Sequence, residues 1–250
     1  MRLGVWIVAL LVSTGAVAFE MAFPNMVVPY LGMDEKSFEL SLCHRFYGRA
    51  FEDEPFDTFF GMDAGANVAV GMRYFYSPQF DFELGHTRAG KQLRAGAGWN
   101  EALSGSLRSR VFAGYVSEEW SEEDGRHGGL VAGVTLSGYT LGGRARPVFS
   151  YFYDGIDERH GIGVGIEMAA SPTVSLLGEY FPILDRDDEE PEGTVLPEDA
   201  WDAGIRLATP GHQFLFIVGN GHGIGSTDQL RGTMDNDLYL GFSIRRLFSV

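Results

Sequence analysis

Hydrophobic and polar residues alternate along most of this chain, and the alternation is clearest from Asn67 to Thr87. A short turn at Ser77-Pro78-Gln79 divides that stretch into two segments of about ten residues each. Successive side chains of a strand point to opposite faces, so a period of two predicts a β-hairpin. One face is apolar and carries Val68, Val70, Met72, Tyr74, Tyr76, Phe80, Phe82 and Leu84.

Similar segments recur from Ser37 to Phe248 and give about twelve strands. Connections after even-numbered strands are short, whereas those after odd-numbered strands are generally longer and acidic, with residues 88–91 as a short exception. Residues 118–128 and 183–199 are the most acidic of these predicted loops. Bacterial single-chain barrels have an even number of strands, short periplasmic turns and longer outer loops. We therefore predict an all-β, transmembrane, up-and-down antiparallel β-barrel with both termini periplasmic.

The second face of the strands carries charged residues separated by glycine, alanine and serine. A small soluble barrel fills its interior with apolar side chains, so this face predicts a polar lumen inside a lipid-facing exterior. The lumen-lining candidates are Glu39, Arg45, Arg73, Glu83, Arg94, Arg108, Glu167, Glu179, Asp202, Arg206 and Arg245. The predicted hairpin register places Arg73 across from Glu83, as an attractive cross-strand pair. The charges either line a charge-selective path or neutralise one another within a narrow lumen.

The start of the chain is typical of a secretory signal peptide. Arg2 precedes an apolar run from Leu3 to Val12, and Ala16-Val17-Ala18 follows. This run is shorter than the roughly 20 residues that a membrane-spanning helix needs. We expect a signal peptide over residues 1–18, Sec-type export with cleavage near Ala18 and an outer-membrane barrel over residues 36–250. Between them we expect a periplasmic lead over residues 19–35, either free or tucked under or into the barrel mouth.

Charge and cysteine usage exclude several classes of protein. The 250-residue chain has a formal net charge of -15, and removing the signal peptide removes only Arg2, which gives -15 - 1 = -16. Such a charge repels nucleic acid. Cys43 is the only cysteine, so no intramolecular disulfide can form. The expected partners are outer-membrane lipid and lipopolysaccharide, and the barrel-assembly machinery during biogenesis, because the strand ending near Phe248 is similar to a C-terminal assembly signal.

No motif predicts a catalytic, cofactor or metal site. The acidic stretches lack the ligand spacing of a calcium loop. Residues 161–165 alternate glycine with apolar residues inside a strand, so they make room on the lumen face and are not a nucleotide loop. Asn220, His222 and Ser226 come closest to a hydrolase constellation. The leading function is porin-like passage of small solutes of unknown identity; the alternatives are a closed structural or interaction barrel and an integral outer-membrane hydrolase.

Several short motifs carry a family resemblance. Ser41-Leu42-Cys43-His44-Arg45-Phe46 is similar to a strand motif of an uncharacterised family of bacterial membrane-bound β-barrel proteins. Further similar motifs are Phe60-Gly61-Met62-Asp63 with Gly71 and Tyr74, then Gly178-Glu179-Tyr180, and Gly211-His212-Gln213-Phe214. Tyr47 departs from the family's usual glycine, and Gly219-Asn220-Gly221 departs from its usual Thr-Asn-Ser-like ending. The resemblance implies an outer-membrane barrel and no established substrate.

Overall fold

A computed structural model describes residues 23–29, 36–52, 54–121, 125–140, 143–184 and 197–248. Twelve antiparallel strands form a closed barrel in which each strand pairs with its neighbours in sequence, and the first strand pairs with the last. The strands are β1 (Phe38–Arg49), β2 (Ala66–Phe75), β3 (Phe80–Thr87), β4 (Gln92–Ala102), β5 (Leu107–Ser121), β6 (Gly125–Gly138), β7 (Ala145–Asp154), β8 (Arg159–Ala169), β9 (Val174–Phe181), β10 (Ala200–Thr209), β11 (His212–Gly219) and β12 (Tyr239–Phe248). The predicted up-and-down transmembrane barrel is confirmed.

The outward face of the barrel is an apolar band. Its side chains are exposed although they are large and hydrophobic, as Val70, Leu84 and Leu130 illustrate at 54%, 55% and 69%. Soluble proteins do not cover themselves with a continuous belt of such residues, whereas a membrane barrel presents one to lipid. In the described part of the chain, no helix is long and apolar enough to cross a membrane.

The predicted asymmetry of the connections is only partly confirmed. The links after even-numbered strands are short, and long connections follow β1, β9 and β11, but the links after β5 and β7 are as short as the predicted exception after β3. The predicted acidic loop at residues 118–128 is wrong for most of its length, because β5 runs to Ser121 and β6 begins at Gly125. Glu118 is not a solvated loop residue: its buried carboxylate faces the lumen, where it pairs with Arg231 at 2.6 Å.

Two segments of the chain lie inside the barrel. The first is residues 23–29 of the predicted lead, here called the inner segment. The second is part of the connection between β11 and β12, residues 220–238, here called the inner loop. Its buried part includes Ile224 and helix α1 (Ser226–Leu230), whereas Met234 is 73% exposed. Residues 19–22 and 30–35 of the lead lie outside the described residues.

The lumen is partly apolar, which corrects the expectation of a polar interior. Phe23, Met26 and Val28 of the inner segment are almost completely buried. They share one core with inward side chains of the wall: Phe75, Val148, Phe152, Leu177, Phe181, Ala200, Leu215, Ile217, and Leu230 of α1. Part of the second face contacts this inserted core instead of water, so it carries hydrophobic residues.

Candidate functional site in the barrel lumen

Glycines of β8 form the surface against which the inserted segments pack. A Cβ atom built on Gly165 would lie 2.5 Å from Met26 Cε and 2.6 Å from Phe23 Cε1. A Cβ on Gly161 would lie 2.0 Å from Leu230 Cδ2, which is sterically forbidden. The alternating glycines therefore make room on the lumen face, and the room is taken up by the chain itself.

Asn25 joins the inner segment to both the wall and the inner loop. Its side-chain amide donates hydrogen bonds of 2.5 Å to Glu179 of β9 and to Asp202 of β10. Its side-chain oxygen accepts from the Gly225 amide at 2.9 Å, and its backbone oxygen accepts from the Ser226 hydroxyl at 3.2 Å. Because two adjacent buried carboxylates share the amide, Asn25 offsets part of the cost of placing them together.

Arg45 of β1 joins Asn25, Glu179 and Asp202 from across the junction between β1 and β12. Its guanidinium lies 3.3 Å from the Asp202 carboxylate, and its side chain is 2% exposed. The three lumen candidates Arg45, Glu179 and Asp202 are therefore gathered around one residue of the inner segment.

A second charged group centres on Asp81. Arg73 and Glu83 are cross-strand partners, as the sequence predicts. Their ion pairs, however, run to other residues: Arg73 lies 2.6 Å from Asp81, and Arg110 lies 2.8 Å from Asp81 and 3.0 Å from Glu83. Asn100 also donates to Asp81 at 2.7 Å. The charges are shared across β2, β3, β4 and β5 and are not confined to one pair.

A third charged group lies at the short-turn end of the barrel. Glu167 forms ion pairs with both Arg146 and Arg206. Arg206 also donates to the Ser175 hydroxyl at 2.9 Å. Most of the lumen charge is therefore neutralised internally, in fixed groups that bridge neighbouring strands.

The inner loop is tied to the wall by its own charges. Arg231 pairs with Glu118 at 2.6 Å and with Asp157 at 2.7 Å. Burial alone would lower the pKa of Arg231, but its hydrogen bonds to these two carboxylates outweigh burial and raise it. Burial raises the pKa of the Asp228 carboxyl, and the attraction of Arg94 offsets this only in part.

The hydrolase constellation is not assembled in the described residues. The His222 ring lies edge-on between Tyr47 and Tyr239, with centroid distances of 5.2 and 5.3 Å. Burial lowers the pKa of His222. The Ser226 hydroxyl donates to the inner segment, and the Asn220 amide donates to backbone and amide oxygens of the loop region. No hydrogen bond links the three side chains.

A cavity of about 150 Å³ remains between the inserted segments and the wall formed by β1 to β4. The inward residues of the wall are small here: Ser41, Cys43, Ala69, Gly71 and Gly85. Its charged lining residues are Glu39, Arg73, Glu83, Arg94 and Arg245. The inner segment and inner loop close the other side with Pro24, Asn25, Val27, Ile224 and Gly225.

The remaining candidates occupy distinct positions. Arg245 donates to the Phe23 carbonyl at 2.9 Å and lies 3.9 Å from Glu39. Arg108 lies at the short-turn rim with its guanidinium 5.5 Å from the centre of the Tyr139 ring, away from the cavity.

The set of candidates predicted from sequence lacks several residues that organise the lumen. Asp81, Arg110 and Arg146 have the strand parity of the lumen face, so alternation could have found them. Asn25 could not have been found in this way, because hydrophobic and polar residues do not alternate in its segment.

The twelve-stranded closure, apolar outer band and charged interior define a closed transmembrane β-barrel. Residues 154–248 match the family model described as "Membrane bound beta barrel domain (DUF5777)", which confirms the predicted resemblance over that range. The chain is similar to the structure titled "KdgM porin in complex with disordered oligogalacturonate", with 6% identity, a TM-score of 0.58 and coverage of 84% of this chain and 99% of that chain. A second KdgM porin structure gives 7% identity, a TM-score of 0.53 and coverage of 85% and 99%. No curated protein matches the sequence.

Proposed function

We propose that this protein is a porin-like channel for small hydrophilic solutes in the bacterial outer membrane. The observation that carries the proposal is the charged cavity of about 150 Å³ beside the inner segment. Charged side chains of both signs along the wall of a water-accessible space are what a selective solute path requires. The small residues of β1 to β3 keep this sector of the lumen from filling with wall side chains.

The inserted segments set the size of the path. With the inner segment in place, the open space beside it is a cavity of about 150 Å³. Passage with the inner segment in place is therefore limited to small solutes and gives a low conductance. A larger path requires the inner segment or the inner loop to leave its position.

A closed structural or interaction barrel is the second candidate. It is favoured by the apolar core around Phe23, Met26 and Val28 and by the internal pairing of most lumen charges. Single-channel recording in planar bilayers separates the two functions. We expect small, discrete current steps from the mature protein, and silence at every voltage would favour the closed barrel.

We propose further that the protein has no enzymatic activity. The dispersed environments of His222, Ser226 and Asn220 support this. Lipid and peptide hydrolysis assays of purified protein test the proposal; activity that disappears in His222→Ala would contradict it.

We also propose Sec-type export, cleavage near Ala18, contact with outer-membrane lipid and lipopolysaccharide, and insertion by the barrel-assembly machinery. The signal-like start of the chain and the apolar band support this route. Intact mass measurement of protein extracted from outer membranes is the test, and the expected first residue is Phe19. A chain that retains residues 1–18 in the outer membrane would contradict the cleavage.

A further inference from the structure

We propose that the lumen cavity binds a small zwitterion, with the ligand's carboxylate at Arg94 and its ammonium group at Glu39. An ω-amino acid of short chain length is the chemical class that fits. The inference rests on the proposed channel function, because it names the solute class that the same cavity would take.

Arg94 is a lumen arginine without a direct ion pair, although the more distant Asp228 carboxylate attracts it. In the described residues it has no carboxylate within 4.0 Å, and its hydrogen bonds go from Nη2 to two neutral groups, Gln92 at 3.2 Å and Thr227 at 3.0 Å. Its Nη1 atom has no partner in that part of the chain, and its Nε atom is buried without one. The nearby Arg73 and Arg110 both form ion pairs with Asp81, so their charges are already neutralised and attract a ligand carboxylate less strongly than Arg94 does.

The position of Arg94 is fixed. Its guanidinium rests against Gly225 of the inner loop, where an added Cβ would lie 2.8 Å from Nη1. Gly225 has a φ of 102°, which favours glycine. A held guanidinium with open donors is the arrangement that recognises a carboxylate.

Glu39 is the complementary group. It lies in the lining of the same cavity and is 5% exposed. Its Oε2 atom is buried without a hydrogen-bond partner in the described residues. Its nearest cation, Arg245, is 3.9 Å from Oε1, which is beyond hydrogen-bond distance. A ligand ammonium group would supply the donor that Oε2 lacks.

A zwitterion suits this pair better than a singly charged solute does. A plain carboxylate would pair with Arg94 but leave Glu39 Oε2 without a donor and facing another anion. A plain amine would bind Glu39 but leave the Arg94 guanidinium without an anion and facing another cation. Only a ligand with both charges satisfies both groups, and unpaired buried charges are costly.

The first test is calorimetry on the full-length folded barrel in detergent. The ligands are ω-amino acids of increasing chain length, starting with glycine, each with its matched carboxylate and amine. We expect at least one ω-amino acid to bind at least about tenfold more tightly than both of its analogues, since each added charged hydrogen bond is worth that much. Equal binding of amino acid and carboxylate along the whole series, or no binding at all, would overturn the proposal.

Two variants assign the contacts. Arg94→Gln should weaken the amino acid and its carboxylate analogue by about tenfold or more, whereas Glu39→Gln should weaken only the amino acid. Arg108→Gln and Glu101→Gln, which change the same charges away from the cavity, are the matched controls. Heat-modifiable migration in detergent gels reports folding, and Arg94→Met replaces Arg94→Gln if the latter does not fold. Unchanged affinity in folded Arg94 and Glu39 variants would overturn the assignment.

Bilayer recording keeps this inference separate from the channel function. Ligand binding without any current supports the site and contradicts the proposed channel. Current without ligand binding supports the channel and contradicts the site.

Discussion

Replacing Asn25 with aspartate tests the role of the inner segment most sharply. The two side chains have nearly the same shape, but a carboxylate cannot donate the hydrogen bonds that Asn25 gives to Glu179 and Asp202 at 2.5 Å. A hydrogen bond to a charged group contributes about 1.5–3 kcal/mol, so the loss is about 3–6 kcal/mol. The substitution also places a third carboxyl group beside two existing ones, which adds to the loss.

This loss is decisive because the other contributions to docking nearly cancel. Burying Phe23, Met26 and Val28 gives about 5–9 kcal/mol, at roughly 1.5–3 kcal/mol per side chain. Ordering the backbone of residues 23–29 costs about 7–14 kcal/mol, at roughly 1–2 kcal/mol per residue. The hydrogen bonds of Asn25 therefore favour the docked position, together with those from Met26 N to Glu179 and from Arg245 to the Phe23 carbonyl. Asn25→Asp removes two bonds to carboxylates and adds repulsion, so it should release the inner segment from the lumen.

The chain contains its own reporter for this release. Cys43 is the only cysteine and lines the cavity next to the inner segment. We expect Asn25→Asp to accelerate labelling of Cys43 by a water-soluble maleimide and to increase the single-channel conductance. Gln79→Glu introduces the same charge at an exposed turn and should change neither. A folded Asn25→Asp barrel with wild-type labelling and conductance would refute this account of the docked segment.

Three further predictions concern the inserted segments. Gly165→Leu should clash with Met26 and destabilise docking of the inner segment by about 1–3 kcal/mol or more. Labelling of Cys43 should then be faster than in the wild type, and an unchanged rate would contradict this. Burial raises the pKa of Asp228 above the ordinary 3.8, so docking of the inner loop should strengthen as pH falls and weaken as pH rises through the raised pKa. As the pH is lowered toward 3.8, the conductance of the wild type should therefore fall by more than that of Asp228→Asn, and parallel profiles would contradict this. Arg231→Gln leaves two carboxylates without their partner and should lower stability by about 1–3 kcal/mol, measured by thermal unfolding in detergent; an unchanged midpoint would contradict it.

Alternation predicted the strands and much of the register, because the side-chain period of a strand is a local property. The register of Arg73 opposite Glu83 is confirmed. The ion pairs differ, since arginine and glutamate side chains are long enough to reach diagonal neighbours such as Asp81. Sequence reasoning therefore located the charged face correctly but did not determine which charges pair.

The occupied lumen was beyond the reach of local patterns. Asn25 contacts Glu179 and Asp202, which are 154 and 177 positions away in the sequence. No period or motif marks the inner segment as an interior element. The glycines at 161, 163 and 165 were the available signal: they indicated free space along the lumen face but not what fills it.

The pairing of β1 with β12 has a consequence for how the molecule forms. Cys43 Sγ lies 3.2 Å from Ser243 Oγ although 200 positions separate the two residues. The Phe38 and Phe248 rings stack across the same junction with their centroids 4.6 Å apart. Contacts between such distant parts of a chain have the largest loop-closure cost and tend to form late. Until β1 and β12 pair, the sheet has two open edges and the inner segment has no enclosed space to occupy. Biogenesis therefore has to deliver the N-terminal residues to the concave side of a still-open sheet, so that a single closing event both completes the wall and traps its contents.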